Sequence, residues 1–436
     1  MRFESGRRWR NWGRTQDVTP DFTAWAFSVD EVVEAVRFAR DRGLPLKPIG
    51  ASHSFTGIGA TAGVQLDIAS LDGVLAVDGN LVTLGAGTNL YQLPALLAPH
   101  NLALQNMGDI DRQTIAGATS TGTHGTGAGF GGLATRIRAA TLVTANGELL
   151  HVSATDNAEL LPAVALGLGA LGVLVDVTIE CVPAFLLHSI ERPEPTATVL
   201  AEWEQRIATI DHFEFYVWPH SDTALTQTKM RLPADAPRDP LGAMRTWFDD
   251  SFMANGVFAL TSNLGHAIPS LVPHINRLAV NLTGDREFTD HSPEVYATER
   301  SVRFQEMEYA IPVEHIPAAV AAVRKLIVDR GFRISFPIEV RAAAADDLWL
   351  STATGRASGY IAVHQFYKND ATEYFREVEA IMRSFAGRPH WGKMNNRTAA
   401  DLRPSYPRFD EFLAVRDRLD PERLFQNDYL RRVLGE

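Results

Sequence analysis

The sequence predicts an α+β protein of two domains, on three observations. At 436 residues the chain exceeds one ordinary hydrophobic core, so two domains are expected. Over the first 185 residues strand-like and helix-like stretches are mixed, without the strand–helix–strand rhythm of a doubly wound sheet. After Pro183 the character changes: from about 186 to 385 aromatic residues rise and long glycine-rich loops vanish.

The elements follow in order. Ser28-Val29-Asp30-Glu31 opens a helix, with a hydroxyl N-cap and a glutamate three residues on. Val32, Val33, Ala35, Val36 and Ala39 recur at helical spacing, and Gly43 ends the run. Leu44–Ile49 is expected as a short strand, followed by strands at Val64–Asp67, Gly73–Val77 and Leu81–Leu84, then a helix over Leu90–Ala98 and a run at Leu102–Asn106. Arg138–Thr144 and Glu148–Val152 flank Ala145-Asn146-Gly147 as a hairpin would. Gly167 to Glu180 reads as a glycine-punctuated turn leading into a strand. In the second part, strands are expected at Phe213–Trp218, Glu306–Ile311, Phe332–Val340 and Tyr360–Tyr367, and helices at Val199–Ile210, Ala318–Asp329 and Ala371–Phe385. Such an order fits a sheet with helices on one face. Pro233–Pro240, with three prolines, is read as a loop.

Composition narrows the function. The chain is 45% hydrophobic and 21% charged, as in globular proteins, and no apolar run is long enough to predict a membrane span. The basic N-terminus has no apolar stretch behind it, so a secretory signal is not expected. Cys181 is the only cysteine, which rules out an intramolecular disulfide and suits a reducing cytoplasm, the expected location. A net charge of −11 argues against nucleic-acid binding.

Two stretches of small residues stand out. One is Pro48-Ile49-Gly50-Ala51-Ser52-His53-Ser54-Phe55; the other runs from Thr114 to Gly132 and includes Thr121-Gly122-Thr123-His124-Gly125-Thr126-Gly127. Glycine permits close approach and positive φ, and successive free N–H groups form an anion-binding concavity. We read the pair as a diphosphate cradle for a flavin dinucleotide, with His53 against the flavin ring. A lone loop histidine is more often a satisfied ring than a ligand, but His53 lies among small neighbours, and an imidazole is a nucleophile able to attach to an electrophilic cofactor methyl group.

Other motifs point away from rival chemistries. Gly127-Ala128-Gly129-Phe130-Gly131-Gly132 satisfies G-x-G-x-x-G, but no strand precedes it and a strand follows, against the dinucleotide fold of that fingerprint. Gly387 to Lys393 satisfies G-x-x-x-x-G-K without the hydroxyl that would hold Mg²⁺, and it follows a helix. His, Asp and Glu show no metal-ligand spacing, so no metal is expected, and no G-x-S-x-G elbow is present. Glu339-Val340-Arg341 places two charges on one face of an expected strand after Ile334, Phe336 and Ile338. An exposed ion pair of that kind is common; at the end of so apolar a strand it is expected to face a cavity, where Arg341 can stabilise an anionic reduced ring. His364 lies on the next strand, as a core histidine or facing the same cavity, and His390 and Lys393 are ligand-fixing groups or a basic surface turn.

Taken with Gly169-Ala170-Leu171-Gly172-Val173 and Gly387-Arg388-Pro389-His390-Trp391-Gly392-Lys393, these stretches resemble the vanillyl-alcohol-oxidase-type flavoproteins, specifically the aldonolactone oxidoreductases, over essentially the whole chain. The resemblance implies an FAD-binding domain of two α+β subdomains over 1–185, an α+β cap with an antiparallel sheet over 186–385, and a C-terminal segment, 386–436, returning to the FAD domain. It implies FAD contacts from Gly50, Ala51, Ser52, His53, Ser54, Gly108, Asp109, Thr114, Gly117, Thr119, Thr121, Gly122, Thr123, His124, Gly125, Gly172, Val177, His390 and Lys393. His53 occupies the position that carries a covalent 8α-histidyl link in many members and none in others. Glu339, Arg341, His364 and Lys393 match catalytic positions, and together with Asp109 and Glu306 they match the substrate side.

Asp109, Glu306 and Phe366 replace a Ser, a Gln and a Thr of the alditol oxidases, a more acidic and bulkier site that favours a cyclic lactone. Gly108 stands where plant-type dehydrogenases carry an alanine that hinders oxygen, which favours an oxidase. The function expected is therefore FAD-dependent oxidation of the C2 hydroxyl of L-gulono- or D-arabinono-1,4-lactone, the 2-keto product enolising to ascorbate or an analogue, with electrons passed to O2 or to a small or protein acceptor. The nearer alternative is an alditol oxidase of the xylitol or sorbitol type on the same scaffold; the distant one is a non-enzymatic flavin-binding protein.

Overall fold

The first helix forms as its cap predicts. The Ser28 side chain accepts the Glu31 amide N–H at 3.3 Å, the Glu31 carboxylate accepts the Phe27 N–H at 2.7 Å, and Val29–Arg40 buries Val32, Ala35, Val36 and Ala39. That face covers a four-stranded sheet in the order Arg2–Ser5, Phe22–Trp25, Val64–Asp67, Leu46–Ile49, whose last three strands run parallel. A five-stranded antiparallel sheet follows, in the order Leu149–Ser153, Ile137–Val143, Val173–Glu180, Leu81–Gly85, Val74–Asp78. The computed structural model describes residues 1–282, 284–298 and 300–436, without the side chains at 250, 251, 254 and 280–282.

The third sheet has eight antiparallel strands: Arg286–His291, Phe185–Pro195, Thr223–Pro233, His212–Val217, Ile338–Ala343, Ser358–Phe366, Phe304–Pro312 and Arg388–Pro389. Its central strands alternate with period two. Phe213, Phe215, Val217, Ile338, Val340, Met307, Ile361 and Val363 pack under the helices Ile316–Asp329 and Thr372–Ser384. The residues between them, Glu214, Tyr216, Glu339, Arg341, Glu306, Glu308 and His364, share the opposite face and are nonetheless buried. One face is a hydrophobic core and the other a charged wall.

Two expectations are revised, and one long strand was missed. The strand expected at Phe332–Val340 begins at Ile338: Pro337 has no N–H for the ladder, and its carbonyl serves His364 instead. The helix expected at Val199–Ile210 is two pieces, Thr196–Ala201 and Trp203–Thr209, broken at Glu202. Strand Phe185–Pro195 was hidden by Pro193 and Pro195, which lie beyond the end of the Arg286–His291 partner. A helical excursion from Ala243 to Leu282 also went unforeseen. Among the described residues, no helix is long and apolar enough to cross a membrane.

The C-terminal segment packs Phe409, Phe412, Tyr429, Leu430 and Val433 into the core that holds Val82, Leu84, Val177 and Ile179. Asn427 fastens it: its amide donates to the carbonyls of Gly57, Ile58 and Ala60 at 2.8–3.1 Å, and its oxygen caps Leu430 N–H at 2.9 Å. Asn427→Ala is expected to cost about 2 kcal/mol, read as a lowered Tm of the holoenzyme; an unchanged Tm would show that apolar packing alone holds this return.

Candidate active site

Two adjoining cavities share His53, Ser54, Gln113 and Thr121. The first runs beneath residues 47–54, past Thr114, Gly117 and Thr121, to the turn 167–172. The second continues over Gly108, Asp109, Thr123 and His124 to Glu308, Arg341, His390 and Lys393. An elongated space of this form suits a dinucleotide ending in a planar ring. Its walls are set by close backbone contacts: a Cβ on Gly50 would lie 2.1 Å from Thr114 Oγ1, and one on Gly125 would lie 2.3 Å from the Met107 carbonyl. Thr114 caps helix Ile115–Thr121 by accepting the Gly117 N–H, so the helix presents its first turn to the cavity.

Of the cofactor residues expected, Gly50, Ala51, Ser52, His53, Ser54, Gly108, Asp109, Thr114, Gly117, Thr121, Thr123, His124, Gly172, His390 and Lys393 line these cavities. Thr119, Gly122, Gly125 and Val177 do not. Thr119 turns its hydroxyl back to the Ile115 carbonyl, Gly122 ends the helix at φ +82°, Gly125 is pressed behind the wall by Met107 and Asn106, and Val177 belongs to the core. Gly127, the first glycine of the G-x-G-x-x-G match, serves a domain junction. Its φ is +130°, a Cβ there would meet the Asp211 carbonyl at 2.4 Å, and its N–H donates to Ala342 O at 2.8 Å.

Residues 9–16, which the sequence did not single out, clamp the first loop. Trp12 N–H donates to Ser52 O, Trp9 Nε1 to Ser52 Oγ, Asn11 Nδ2 to Ser54 O and Thr15 Oγ1 to Phe55 O. Trp12 stacks on His53 with centroids 5.7 Å apart and planes at 24°. Burial, with the charges of Lys393 and Arg112, pushes the His53 pKa down to about 4. His53 is thus neutral at physiological pH and keeps a nucleophilic lone pair.

The ring end is bounded by the charged wall. Arg341 is shared by three carboxylates: Nε donates to Glu214 at 2.9 Å, and Nη2 lies 3.1 Å from Asp109 and in closest contact with Glu339. Lys229 holds Glu214 at 2.5 Å, Tyr216 donates to Glu339 at 3.0 Å, and Arg300 pairs with Asp109 at 2.6 Å. Burial opposes the charge of Asp109, but Arg300 and Arg341 outweigh it and hold the group far below the usual range. Burial likewise opposes Glu306, which its contact with Lys393 and the nearby His364 hold down at about 2. Glu339 goes the other way: burial and the charge of Asp109 raise it against the pull of Arg341. His364 Nδ1 donates to the Pro337 carbonyl at 3.1 Å, turning Nε2 toward Glu306 and Glu339 at 3.6 and 3.9 Å. His390 is pushed down to about 3 by burial and accepts the Gly392 N–H on Nδ1.

The six expected substrate-side residues therefore divide. Asp109, Arg341 and Lys393 line the cavity; Glu306, Glu339 and His364 stand behind them and fix their charges. Folding also assembles two clusters invisible in linear spacing, His124–Glu308–His390 and Glu306–Glu339–His364, each with its potential ligand atoms within 4.8 Å. Lys393 and Arg341 already supply positive charge to the second.

Arg341→Ala is expected to cost about 3 kcal/mol or more, because the carboxylates are left buried without their shared cation. The pH dependence tests the cause. In the wild type, Glu306 is depressed, so its contribution is complete above the unfolded pKa and is lost as pH falls toward about 2. In the variant, Asp109 keeps Arg300, but Glu339, already raised by burial, loses the pull of Arg341 and binds protons more readily folded than unfolded, so stability should rise as pH falls from neutrality toward about 5. A variant curve parallel to that of the wild type over this window would refute the shared-charge reading.

Comparison with known proteins agrees with this geometry. The description of the D-arabinono-1,4-lactone oxidase family matches residues 177–433, and that of an FAD-binding domain matches residues 20–153. An L-gulono-1,4-lactone dehydrogenase of Mycobacterium tuberculosis is 44% identical over 98% of this chain and 99% of its own. An L-gulonolactone oxidase of Bos taurus is 33% identical over 98% of both. A cholesterol oxidase from Brevibacterium sterolicum shares the fold, with TM-score 0.83 at 17% identity, covering 99% of this chain and 97% of that one. With its cofactor cavity, its charged wall and these relatives, the chain belongs to the D-arabinono-1,4-lactone oxidase family and is an FAD-dependent oxidoreductase.

Proposed function

We propose that the protein oxidises the C2 hydroxyl of an aldono-1,4-lactone, L-gulono- or D-arabinono-1,4-lactone, to the 2-keto lactone, which enolises to ascorbate or an analogue. The observation that carries this reading is the guanidinium of Arg341 at the ring end of the cavity, held by Asp109, Glu214 and Glu339, in a chain whose relatives are named for these lactones. When bound, FAD supplies the hydride acceptor. Arg341 and Lys393 present fixed positive charge where negative charge builds up, and their carboxylate partners keep both from moving. Asp109, Arg341 and Lys393 are the groups placed to bind lactone hydroxyls and carbonyl. The neutral ring of His53 supports covalent attachment of the cofactor at that residue.

Gly108 supports an oxidase. A methyl there would lie 3.1 Å from the His124 carbonyl and 3.8 Å from Thr123 Cγ2, tight but attainable with a small shift, on the wall of the ring cavity. Gly108→Ala should slow reoxidation by oxygen by roughly tenfold, a barrier of about 1.4 kcal/mol, while anaerobic reduction by the lactone keeps its rate. Equal oxygen reactivity in the two proteins would remove Gly108 from the oxygen path.

The direct test is an anaerobic flavin spectrum with L-gulono-1,4-lactone, D-arabinono-1,4-lactone and xylitol in turn. Bleaching by a lactone, with fast recovery of colour in air, is the expected result. Bleaching by xylitol alone would replace the lactone with an alditol, and no bleaching by any of the three would end the proposal.

A further inference from the structure

Lys47 is a buried lysine in an unusual place. It lies on strand Leu46–Ile49, directly before the first glycine loop, and is 1% exposed. Its ammonium donates to two main-chain carbonyls, Gly169 at 3.0 Å and Phe425 at 3.1 Å. Among the described residues lining the dinucleotide end of the cavity, it is the only lysine or arginine. Among the described residues, the one charged group facing it from the packed elements is Asp420, whose two oxygens are already taken by the Leu424 and Phe425 N–H groups at 2.7 and 2.8 Å, and which is not on the cavity wall. Burial without a direct counter-ion is costly for an ammonium and cheap for an amine. Lys47 is accordingly pushed down to about 7 by burial, against the weaker opposing pull of Asp420.

A dinucleotide cofactor brings a diphosphate carrying two negative charges into this low-dielectric space. The main-chain cradle supplies dipoles but no full charge. We propose that Lys47 is a cofactor-binding residue that becomes fully protonated only when the diphosphate is in place, so that FAD binding takes up a proton. The balance is simple: a neutral amine, one proton from solvent and the dianionic diphosphate give an ammonium–diphosphate pair, with no bond made or broken in the cofactor. The inference rests on the assignment of this cavity to FAD. Gly169, whose carbonyl Lys47 holds, has φ +61° and belongs to the turn lining the same end, so the ammonium also fixes the wall against which the cofactor lies.

The test is calorimetric titration of FAD into apoprotein made in a riboflavin-starved host, in phosphate and in Tris, whose ionisation enthalpies differ. At about pH 8 the wild type should take up roughly 0.8 proton per FAD, and at about pH 6 almost none. Its affinity should fall roughly fivefold between pH 7 and 8. Lys47→Arg, with a charge that does not titrate, should bind with neither the uptake nor this pH dependence. Lys47→Met should bind more weakly at pH 7 and lose the dependence as well. A purely structural lysine would instead weaken binding in Lys47→Met by the same factor at every pH and leave proton uptake as in the wild type. That result, or an uptake near zero for the wild type at pH 8, overturns the proposal. Failure of FAD to bind the wild-type apoprotein at all would overturn the cavity assignment instead.

Discussion

The structure depends on one shared charge. Arg341 leaves the central strand of the cap on the side away from the helices and meets a carboxylate from its own strand, Glu339, one from the neighbouring strand, Glu214, and one from the cofactor-side loop, Asp109. Among the described residues, five buried or half-buried carboxylates in this wall, Asp109, Glu214, Glu306, Glu308 and Glu339, share four permanent cations, Lys229, Arg300, Arg341 and Lys393. Those cations, with His124 beside Glu308, hold four of the carboxyls below their usual range, while burial and the charge of Asp109 raise Glu339 above it. Replacing any one charge changes what its neighbours can hold, so the wall is a single electrostatic unit and not a set of separate pairs.

How much of this was legible in the sequence follows from what each feature needs. The α+β class, the first helix and the hairpin at Asn146-Gly147 were readable because caps, turns and periodicity are local signals. The glycine stretches announced the cofactor because close backbone approach needs small residues wherever the chain goes next. Glu339-Val340-Arg341 was readable as a pair turned toward a cavity because charge on an apolar strand is uncommon; Arg341 lines that cavity and Glu339 stands behind it. Lys229, Glu214, Tyr216, Arg300 and the clamp at residues 9–16 carried no such mark. They reach the site from far along the chain: pairing of His212–Val217 with Ile338–Ala343 and Thr223–Pro233 brings in Glu214, Tyr216 and Lys229, the segment beside Thr298 brings in Arg300, and the N-terminus passes over Ser52. The one available signal was alternation itself: Phe213-Glu214-Phe215-Tyr216 has the same apolar–polar pattern as Ile338-Glu339-Val340-Arg341.

Where sequence and structure part, the backbone gives the reason. Proline set the late start of the strand at Ile338 and masked the strand at Phe185–Pro195. The G-x-G-x-x-G match was a true demand for glycine with a different origin, the approach of Gly127 to the cap, and not a phosphate turn.

That approach has a mechanical consequence. Gly127 N–H is bonded to Ala342 O, Thr126 Oγ1 to Phe213 O, and His212 Nδ1 to Thr126 O, so the second glycine stretch is stitched to two adjacent strands of the cap. Separating the two halves would break this main-chain bond and both side-chain bonds beside it, close to the cofactor cavity. The wall of the cavity is therefore tied to the cap on this side, while at its rim Asp109 is met by Arg300 and by the Thr298 N–H.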